Sequence, residues 1–566
     1  MMDRRTLLAI AISLFLLVIY QWILSTYFPP PEMSEAPATT TATTTTATGP
    51  TAASSAATTT PTPASGRGDS TPSINLAEKA FDQASGTPKS PQPSRVPDAP
   101  VITFGNQKIQ GGVAAIGGEL VDMRFLDYKD QIGPEGKPVR FFKRDANEPF
   151  LSASGFIAAV GVDVPRGDTH WEQVSEPAGG KGNTLHLRWD NTRGLLFEKI
   201  FTWQPASYML EMLDRVTNSS GVPVTLFHYA QFVRRHVPLP EGSKAAPTDF
   251  QGPMGFLHGT RVQFEYDELP KGDRFEESVG GWAGFSDKYF LAAMGDADAR
   301  ERRKFYFDFD APNHRVGMVT PAQAVAGNES RAYHTRLFVG PKAIEVLTEQ
   351  NMHLERSIDY GWFHFLAEPL VRLLLIFNKF VNNFGVAIIL LTVVIKLLFF
   401  PLANKSYRSM SAMKKLQPKV DALRKLYGDD KQRLNQEMMK LYQENKVNPL
   451  GGCLPVVVQI PVFFALYKVL FLSVEMRHAP FMFWIQDLSD KDPYYVMPIL
   501  MGISMVVQSR LSPAPADPVQ AKIMMFLPVI FTVMFLTFPS GLVLYWLVNN
   551  VLSILQQGYI MRQSGG

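Results

Sequence analysis

The sequence predicts a polytopic α-helical membrane protein with six transmembrane helices and a large β-sandwich domain. Apolar runs long enough to cross ~30 Å of hydrocarbon lie near the N-terminus and in the last third of the chain. Between them, short segments of alternating apolar and polar residues are punctuated by turn residues, which is typical of a β-sandwich. A stretch rich in Thr, Ala, Pro and Ser separates the first apolar run from these strands.

The first span is Thr6–Phe28, an uncharged run that follows Arg4 and Arg5. It is longer than the apolar core of a typical signal peptide, so we expect residues 1–28 to be an uncleaved anchor, with a cleaved signal as the alternative. The two arginines hold the start of the anchor in the cytoplasm. Residues 29–100 cannot bury enough apolar surface to fold, and we expect a disordered linker.

Residues 101–340 form the predicted sandwich. Leu185–Trp189 and Leu196–Trp203 flank Asp190–Gly194, which predicts a β-hairpin. Thr225–Arg234 predicts another strand. No catalytic set of side chains is evident in this region, and the fold alone does not give a function.

Residues 341–383 connect the sandwich to the later spans and include an amphipathic helix over Trp362–Val381. A helix with one apolar and one charged face lies in the membrane interface without crossing it. An ordinary surface helix of the sandwich is the alternative, but the position directly before a membrane span favours the interface. The apolar face comprises Trp362, Leu366, Pro369, Leu370, Leu373, Phe377 and Phe380, and the polar face His364, Glu368, Arg372 and Lys379.

Residues 384–561 contain five further spans, which with the anchor make six. The last two are near or below the ~17-residue minimum for a spanning helix, which indicates a locally thinned bilayer or partial burial in the helix bundle. The five spans are Phe384–Leu402, Cys453–Val474, Tyr494–Leu511, Ile523–Phe538 and Leu542–Gln557.

A charged insert at residues 404–447 separates the first two of these five spans. With its flanks (402–449) it carries eleven Lys or Arg residues against five Asp or Glu residues, which places it in the cytoplasm. Gly428 predicts the end of one helix and Asp429 the start of the next, so we expect a helical hairpin. A purely solvated hairpin is one interpretation; an adaptable surface for varied partners is the other, because the insert contains Met410, Met413, Met438 and Met439.

Lys396 lies inside the span Phe384–Leu402, which contains no acidic residue. A lysine at mid-bilayer costs roughly 2.5–3.5 kcal/mol on insertion scales. Its ammonium group therefore either snorkels to the inner interface or faces a wet cavity with a function. Singly, other polar groups in the spans are explained as contacts between helices; together they favour a shared hydrophilic groove. The candidate groove residues are Lys396, Thr392, Gln459, Gln508, Tyr545, Trp546 and Asn550.

Several classes of function lack their sequence signals. A single cysteine, Cys453, excludes an internal disulfide, and no Cys/His cluster has metal-ligand spacing. The sequence contains no HExxH, GxSxG or GxxxxGK[ST] motif. The spans lack the Asp or Glu that a proton or ion relay needs. We therefore expect no enzyme, no cofactor or metal, no nucleic-acid site and no coupled pump.

Four motifs resemble signatures of the YidC family of membrane protein insertases. They are Gly428–Arg433 (GDDKQR), Lys446–Pro455 (KVNPLGGCLP), Asp492–Tyr495 (DPYY) and Phe538–Trp546 (FPSGLVLYW). The anchor, linker and β region resemble the long form found in Gram-negative inner membranes. The resemblance implies a periplasmic β-supersandwich, a five-helix insertase core and cytoplasmic N- and C-termini.

The resemblance also implies a function. Such proteins insert and help fold newly made inner-membrane proteins, alone or with the Sec translocon and its accessory subunits, through a groove open to cytoplasm and lipid. Its central cation maps onto Lys396, where the family generally has arginine; lysine keeps the charge but loses the five-donor fork. Nascent membrane proteins, the lipid bilayer, and the ribosome or signal recognition pathway are the implied partners. A membrane-anchored periplasmic binding protein and a small-solute transporter are the alternatives.

Overall fold

The structure is a computed structural model that describes residues 99–565, apart from 146, 159–160, 176–181, 237–249, 297–300, 428–429, 446, 448–453 and 512–517. The predicted anchor (1–28) lies outside the described residues, and so does the predicted linker (29–100) up to residue 98.

The strands of the described residues form two sheets, and their registered pairs are antiparallel. They are β1 (Val101–Gly105), β2 (Ile109–Ala114), β3 (Leu120–Lys129), β4 (Pro138–Phe142), β5 (Phe150–Ala158), β6 (Glu172–Ser175), β7 (Thr184–Asp190), β8 (Leu195–Trp203), β9 (Met209–Asn218), β10 (Val224–Arg234), β11 (Gly252–Leu257), β12 (Thr260–Gln263), β13 (Arg274–Val279), β14 (Trp282–Ser286), β15 (Phe290–Asp296), β16 (Arg302–Asp310), β17 (Asn313–Val319), β18 (Gln323–Val325) and β19 (Glu329–Pro341).

The ten-stranded sheet has the order β1-β2-β3-β5-β10-β17-β16-β13, with β4 paired to β3 and β18 paired to β10. The nine-stranded sheet has the order β12-β11-β14-β15-β19-β9-β8-β7-β6. Side chains of both sheets share one apolar core; for example, the rings of Phe156 and Phe197 lie 5.2 Å apart. The predicted β-sandwich is thus confirmed. The predicted hairpin is β7 paired with β8, and the predicted strand at 225–234 is β10.

β8 shows why the sheets stack. Its residues alternate strictly between buried and half-buried, because successive side chains of a strand point to opposite faces. Four of the five buried positions are apolar, and the fifth is Lys199. A buried lysine requires a charged partner.

Lys199 finds that partner inside the core. Its Nζ donates to Asp214 Oδ1 (2.8 Å) and to Ser154 Oγ (2.6 Å). His228 Nε2 lies 2.9 Å from the other oxygen of Asp214. Ser154 and His228 belong to the ten-stranded sheet, whereas Lys199 and Asp214 belong to the nine-stranded sheet. The cluster therefore ties the two sheets together through charge and hydrogen bonds.

The described helices are α1 (Ile344–Glu349), α2 (His364–Val381), α3 (Phe384–Tyr427), α4 (Lys431–Glu444), α5 (Leu454–Leu472), α6 (Val496–Leu511), α7 (Pro518–Phe535) and α8 (Ser540–Gly565). Helices occupy all five predicted spans of the C-terminal region. By length and composition, α3 is the one described helix that is long and apolar enough to cross a membrane; shorter apolar segments are Val457–Leu472, Val496–Leu511 and Lys522–Phe535. The count of six spans stays a prediction.

The hairpin differs from the prediction in two places, at its start near residue 404 and at the N-cap of its second helix. α3 shows no break near residue 404 and runs unbroken through Pro401 and Pro418, so the span that carries Lys396 and the first arm of the hairpin are one helix of 44 residues. The predicted caps, Gly428 and Asp429, lie outside the described residues. The structure places the N-cap of α4 at Asp430, because its carboxylate accepts the backbone N–H of Arg433 at 2.9 Å.

α2 has a buried face and a second apolar face that is partly uncovered. Ala367, Val371 and Leu374 are buried, and the main contacts of the helix are with α3 and α5. The predicted apolar face is partly uncovered, since Trp362, in the turn just before α2, is 77% exposed and Phe380 is 84% exposed. This arrangement favours a helix of the membrane interface over a surface helix of the sandwich.

Replacing Asp214 with Asn should strongly destabilise the sandwich, because Lys199 would remain buried without its counterion. The free energy of opening at β8 and β9, measured by hydrogen exchange on the full chain, should fall by about 3–5 kcal/mol. The control is Arg188→Ala, which breaks an exposed pair between Arg188 and Glu172 (3.2 Å) and should change that energy by less than about 1 kcal/mol. Equal effects of the two variants would contradict a structural role for the cluster.

The pKa of His228 predicts a pH dependence of the sandwich. Burial lowers this pKa, although Asp214 opposes the shift. The unfolded chain then binds a proton that the folded chain does not, so opening at β10 should become easier as the pH falls below about 6.5, by up to ~1.4 kcal/mol per pH unit. In His228→Gln this slope should shrink in hydrogen-exchange measurements between about pH 5 and 7. An unchanged slope would assign the pH dependence to other groups.

Candidate functional site

Lys396 is half-buried on α3, and its ammonium group contacts α8. The Nζ atom donates a hydrogen bond to Ser553 Oγ at 2.8 Å. The hydroxyl of Tyr407 hydrogen-bonds the same serine, whose own hydroxyl donates to the backbone oxygen of Asn549 (2.7 Å). No ion pair within the described part of the chain includes Lys396. The site therefore holds a positive charge beside neutral hydroxyl groups, and that charge keeps its attraction for an incoming anion.

A second polar contact joins α5 to α8. Gln459 Nε2 donates to the hydroxyl of Tyr545 at 2.6 Å, and Tyr545 is buried. The next residue, Trp546, packs its ring against Phe463 of α5 (4.7 Å between centroids) and Phe535 of α7 (5.2 Å). The predicted pair of aromatic residues thus divides its roles: Tyr545 makes a polar contact and Trp546 fills an aromatic cluster.

A third polar contact joins α6 to α8. Asn550 is buried, and its Nδ2 donates to Ser504 Oγ at 3.1 Å. Gln508 lies one turn after Ser504 on α6 and is half-buried. Thr392 differs from the others because its hydroxyl is buried and donates to the backbone oxygen of Ile388 in its own helix (2.7 Å). The structure therefore ties Lys396 of α3 and Gln459 of α5 to α8, and Asn550 of α8 to α6. Thr392 remains a local contact of α3.

Ser553, Tyr407 and Ser504 hold these polar groups, and none of the three was predicted from the sequence. A signal for Tyr407 exists, since it follows Lys396 by three helical turns and so lies on nearly the same face of α3. Serine is common in membrane helices, and nothing in the local sequence distinguishes Ser553 or Ser504 from an ordinary packing residue.

The four methionines of the predicted recruitment surface have unequal access to solvent. Met439 is 50% exposed, whereas Met438 is buried. Met413 is half-buried, and Met410 packs against a small cluster around Tyr407. The groove between α3 and α4, of about 330 Å³, is lined by Leu423, Leu426 and Leu441.

Large apolar side chains remain uncovered along one side of the helical region. α7 packs mainly against α6, and six of its large apolar side chains are more than half exposed: Ile523, Met525, Phe526, Val529, Ile530 and Val533. On α3, Leu397 and Leu398 next to Lys396 are 65% and 72% exposed. Contiguous apolar surface of this extent fits contact with lipid chains.

The apolar surface, the long apolar helix and the polar contacts between helices define a helical membrane protein with an attached β-sandwich. Comparison with known sequences narrows this class of protein to a family. The profile described as "YidC periplasmic domain" matches residues 101–373, and the profile described as "60Kd inner membrane protein" matches residues 376–565.

Relatives over the whole length agree with these profiles. A Membrane protein insertase YidC of Magnetococcus marinus is 51% identical over 99% of both chains. One from Nitrosococcus oceani is 40% identical over 89% of this chain and 92% of its own. A solved structure described as an active YidC insertase with the first transmembrane domain resolved has 19% sequence identity and a TM-score of 0.36, covering 85% of this chain and 99% of that chain.

The chain belongs to the YidC family of membrane protein insertases. Family membership confirms the resemblance seen in the motifs. It also confirms that the protein is a membrane protein insertase and not an enzyme, and that it lies in the inner membrane with a large periplasmic domain.

Removing the polar contact between α6 and α8 should loosen the helical region. We expect Asn550→Ala to lower the free energy of unfolding in mixed micelles by about 0.6–1.7 kcal/mol, the range of hydrogen bonds between membrane helices. A double-mutant cycle with Ser504→Ala isolates the pairwise energy. The matched control is Ser509→Ala on α6, whose hydroxyl donates only to the backbone oxygen of Val506. A coupling energy of zero would show that the contact does not contribute.

Proposed function

We propose that this insertase acts through a hydrophilic groove whose central charge is Lys396. The single observation that carries the proposal is the placement of this ammonium group, half-buried among apolar helices and held by the hydroxyl of Ser553. A half-buried cation with no counterion among the described residues is expensive, so its retention indicates a use. In the proposed groove, Lys396 is accompanied by Gln459, Tyr545 and Asn550, with Thr392, Gln508 and Trp546 in its walls.

The proposed topology has six spans with both termini in the cytoplasm. The anchor at residues 1–28 crosses outward, the linker (29–100) and sandwich (101–340) lie in the periplasm, and the five-helix core at 384–561 returns the chain to the cytoplasm. The excess of basic residues in the hairpin at 404–447 supports this orientation. The uncovered apolar face of α2 supports a position in the interface on the periplasmic side of the inner membrane.

The proposed cycle begins when the apolar segment of a nascent membrane protein meets the hairpin. Exposed Met439 offers it an adaptable contact, as do Met410, Met413 and Met438 if the hairpin opens. The polar flank of the substrate then enters the groove, where Lys396 attracts an acidic residue. Ser553 is a neutral partner, so a carboxylate competes with it for the ammonium group more easily than it would with a resident acid.

The energy for insertion comes from the substrate and the membrane. Burying about 20 apolar residues in lipid drives the segment into the bilayer. An acidic flank gains ~2.3 kcal/mol per charge per 100 mV when it moves to a positive outer side. The attraction of Lys396 has to be transient, because a tightly held flank would not leave the groove. No ATP and no cofactor are required.

The proposed partners are nascent membrane proteins and the lipid bilayer, with the Sec translocon and its accessory subunits for substrates that need both machines. Contact with the ribosome or the signal recognition pathway is assigned to the cytoplasmic hairpin, because its excess of basic residues suits a polyanionic surface.

Changing the charge at residue 396 tests the proposal. In a strain depleted of its own insertase, Lys396→Glu should reduce insertion of an acid-flanked single-span substrate by about tenfold, which corresponds to ~1.4 kcal/mol. Lys396→Ala should reduce it less, and Lys396→Arg should preserve it because the charge remains.

The control is Arg510→Ala, which removes an exposed charge of α6 and should leave insertion unchanged. Protease protection of the substrate measures insertion, and membrane levels of each variant are compared. Normal insertion with both Lys396→Glu and Lys396→Ala would refute a charge-dependent groove.

A further inference from the structure

The sandwich contains a large cleft, and none of its described lining residues belongs to the proposed groove. It has a volume of about 960 Å³, within the range of small-molecule sites. It lies at one end of the sandwich, where Phe150 of β5, Arg234 of β10 and His314 of β17 stand side by side on three neighbouring strands. The described lining also includes residues of β4, of the segment after β12, of the β14–β15 turn and of the β16–β17 turn. We call it the sandwich cleft.

Aromatic rings form much of the wall of the sandwich cleft. The rings of His236 and Tyr266 are stacked 3.9 Å apart and nearly parallel, at 5°. His314 meets Tyr266 edge-on at 4.9 Å. The guanidinium group of Arg234 lies over the ring of Phe150 at 4.8 Å. The hydroxyl of Tyr266 is buried in this wall and finds no hydrogen-bond partner among the described residues.

The charged groups of the sandwich cleft largely pair with one another or with neighbours. Arg234 Nη1 donates to Asp287 Oδ1 at 2.6 Å, and Lys143 pairs with Glu148. The lining includes four basic side chains and four acidic ones: Arg140, Lys143, Arg234 and Arg235 against Glu148, Glu265, Asp267 and Asp287. Burial lowers the pKa of both His236 and His314, so their imidazoles are neutral near pH 7. The site therefore offers donors and acceptors in fixed places without a net charge.

This combination selects a class of ligand. An anion or a cation would need an unpaired opposite charge, and an apolar chain would desolvate the ion pairs without replacing their water. A sugar suits both kinds of group in the wall, the aromatic rings and the ion pairs. The C–H face of its ring packs on an aromatic ring, and each hydroxyl both donates and accepts hydrogen bonds, as the arginine–carboxylate pairs require. We propose that the sandwich cleft binds a neutral saccharide in the periplasm.

The proposal is independent of the insertase groove and is tested by binding. The full chain is placed in nanodiscs of phosphatidylethanolamine and phosphatidylglycerol, because alkyl-glycoside detergents would compete for the site. Maltose and N,N′-diacetylchitobiose are the neutral probes, with glycerophosphocholine as a zwitterionic probe and citrate as an anionic one. Saturation-transfer NMR and calorimetry measure the binding of each probe.

We expect saturable binding of at least one of the two saccharides. Tyr266→Ala should weaken it by at least about tenfold, because the ring that holds His236 and His314 in the wall is lost. Glu265→Gln tests the same site at an exposed residue of the rim that can change without disturbing the core, and should weaken binding by about threefold or more. The control is Phe275→Ala, which removes an exposed aromatic ring of β13 outside the cleft and should leave binding unchanged.

Three results would overturn the proposal. One is the absence of saccharide binding up to about 20 mM, weaker than the affinity of an ordinary specific site. Another is binding that survives both Tyr266→Ala and Glu265→Gln. The last is binding of glycerophosphocholine or citrate alone, which would assign the sandwich cleft to a charged ligand.

Discussion

The helical region depends on one constraint, which is that polar groups surrounded by apolar helices must find partners within the protein. α8 meets this requirement for three neighbours at once. Ser553 accepts from Lys396 of α3, Tyr545 accepts from Gln459 of α5, and Asn550 donates to Ser504 of α6. Because lipid cannot supply hydrogen bonds, these contacts fix which helices lie beside α8. They also place polar side chains of α3, α5 and α6 against one helix, α8.

Two buried or half-buried lysines show how the partner determines the role. Lys199 is almost fully buried, and Asp214 neutralises its charge inside the sandwich. The cluster around this ion pair holds the two sheets together. Lys396 is half-buried and contacts only hydroxyl oxygen among its described partners. A carboxylate cancels most of the field of an ammonium group, whereas a serine hydroxyl leaves it largely intact. The first lysine is therefore structural, and the second is suited to attracting an acidic substrate.

The continuity of α3 connects the predicted membrane span to the predicted cytoplasmic hairpin. One helix carries both Lys396 and the first arm of the charged hairpin, so a movement of the hairpin would be transmitted along α3 to the proposed groove. Pro401 and Pro418 each remove a backbone hydrogen bond and mark the points where this helix can bend. Recruitment of a nascent segment and its passage into the groove would thus be mechanically linked.

The sequence by itself determined the class of each region, because apolar run length and strand alternation are local properties. The five C-terminal helices, the β7–β8 hairpin, β10 and the charged insert all follow from such patterns, and four motifs gave the family. Local signals were weaker at helix ends. The unbroken course of α3 through Pro401 and the cap at Asp430 depend on hydrogen bonds that the pattern does not specify.

Only the tertiary structure decided which polar residues meet. Ser553 lies 157 residues after Lys396, and nothing near either residue encodes that distance. The same holds for the cluster of Lys199, Asp214 and His228 and for the cleft at the end of the sandwich, which strands distant in sequence assemble. The sequence specifies the chemistry of each side chain. The electric field around a buried charge depends on neighbouring groups, and only folding brings those groups within hydrogen-bond distance.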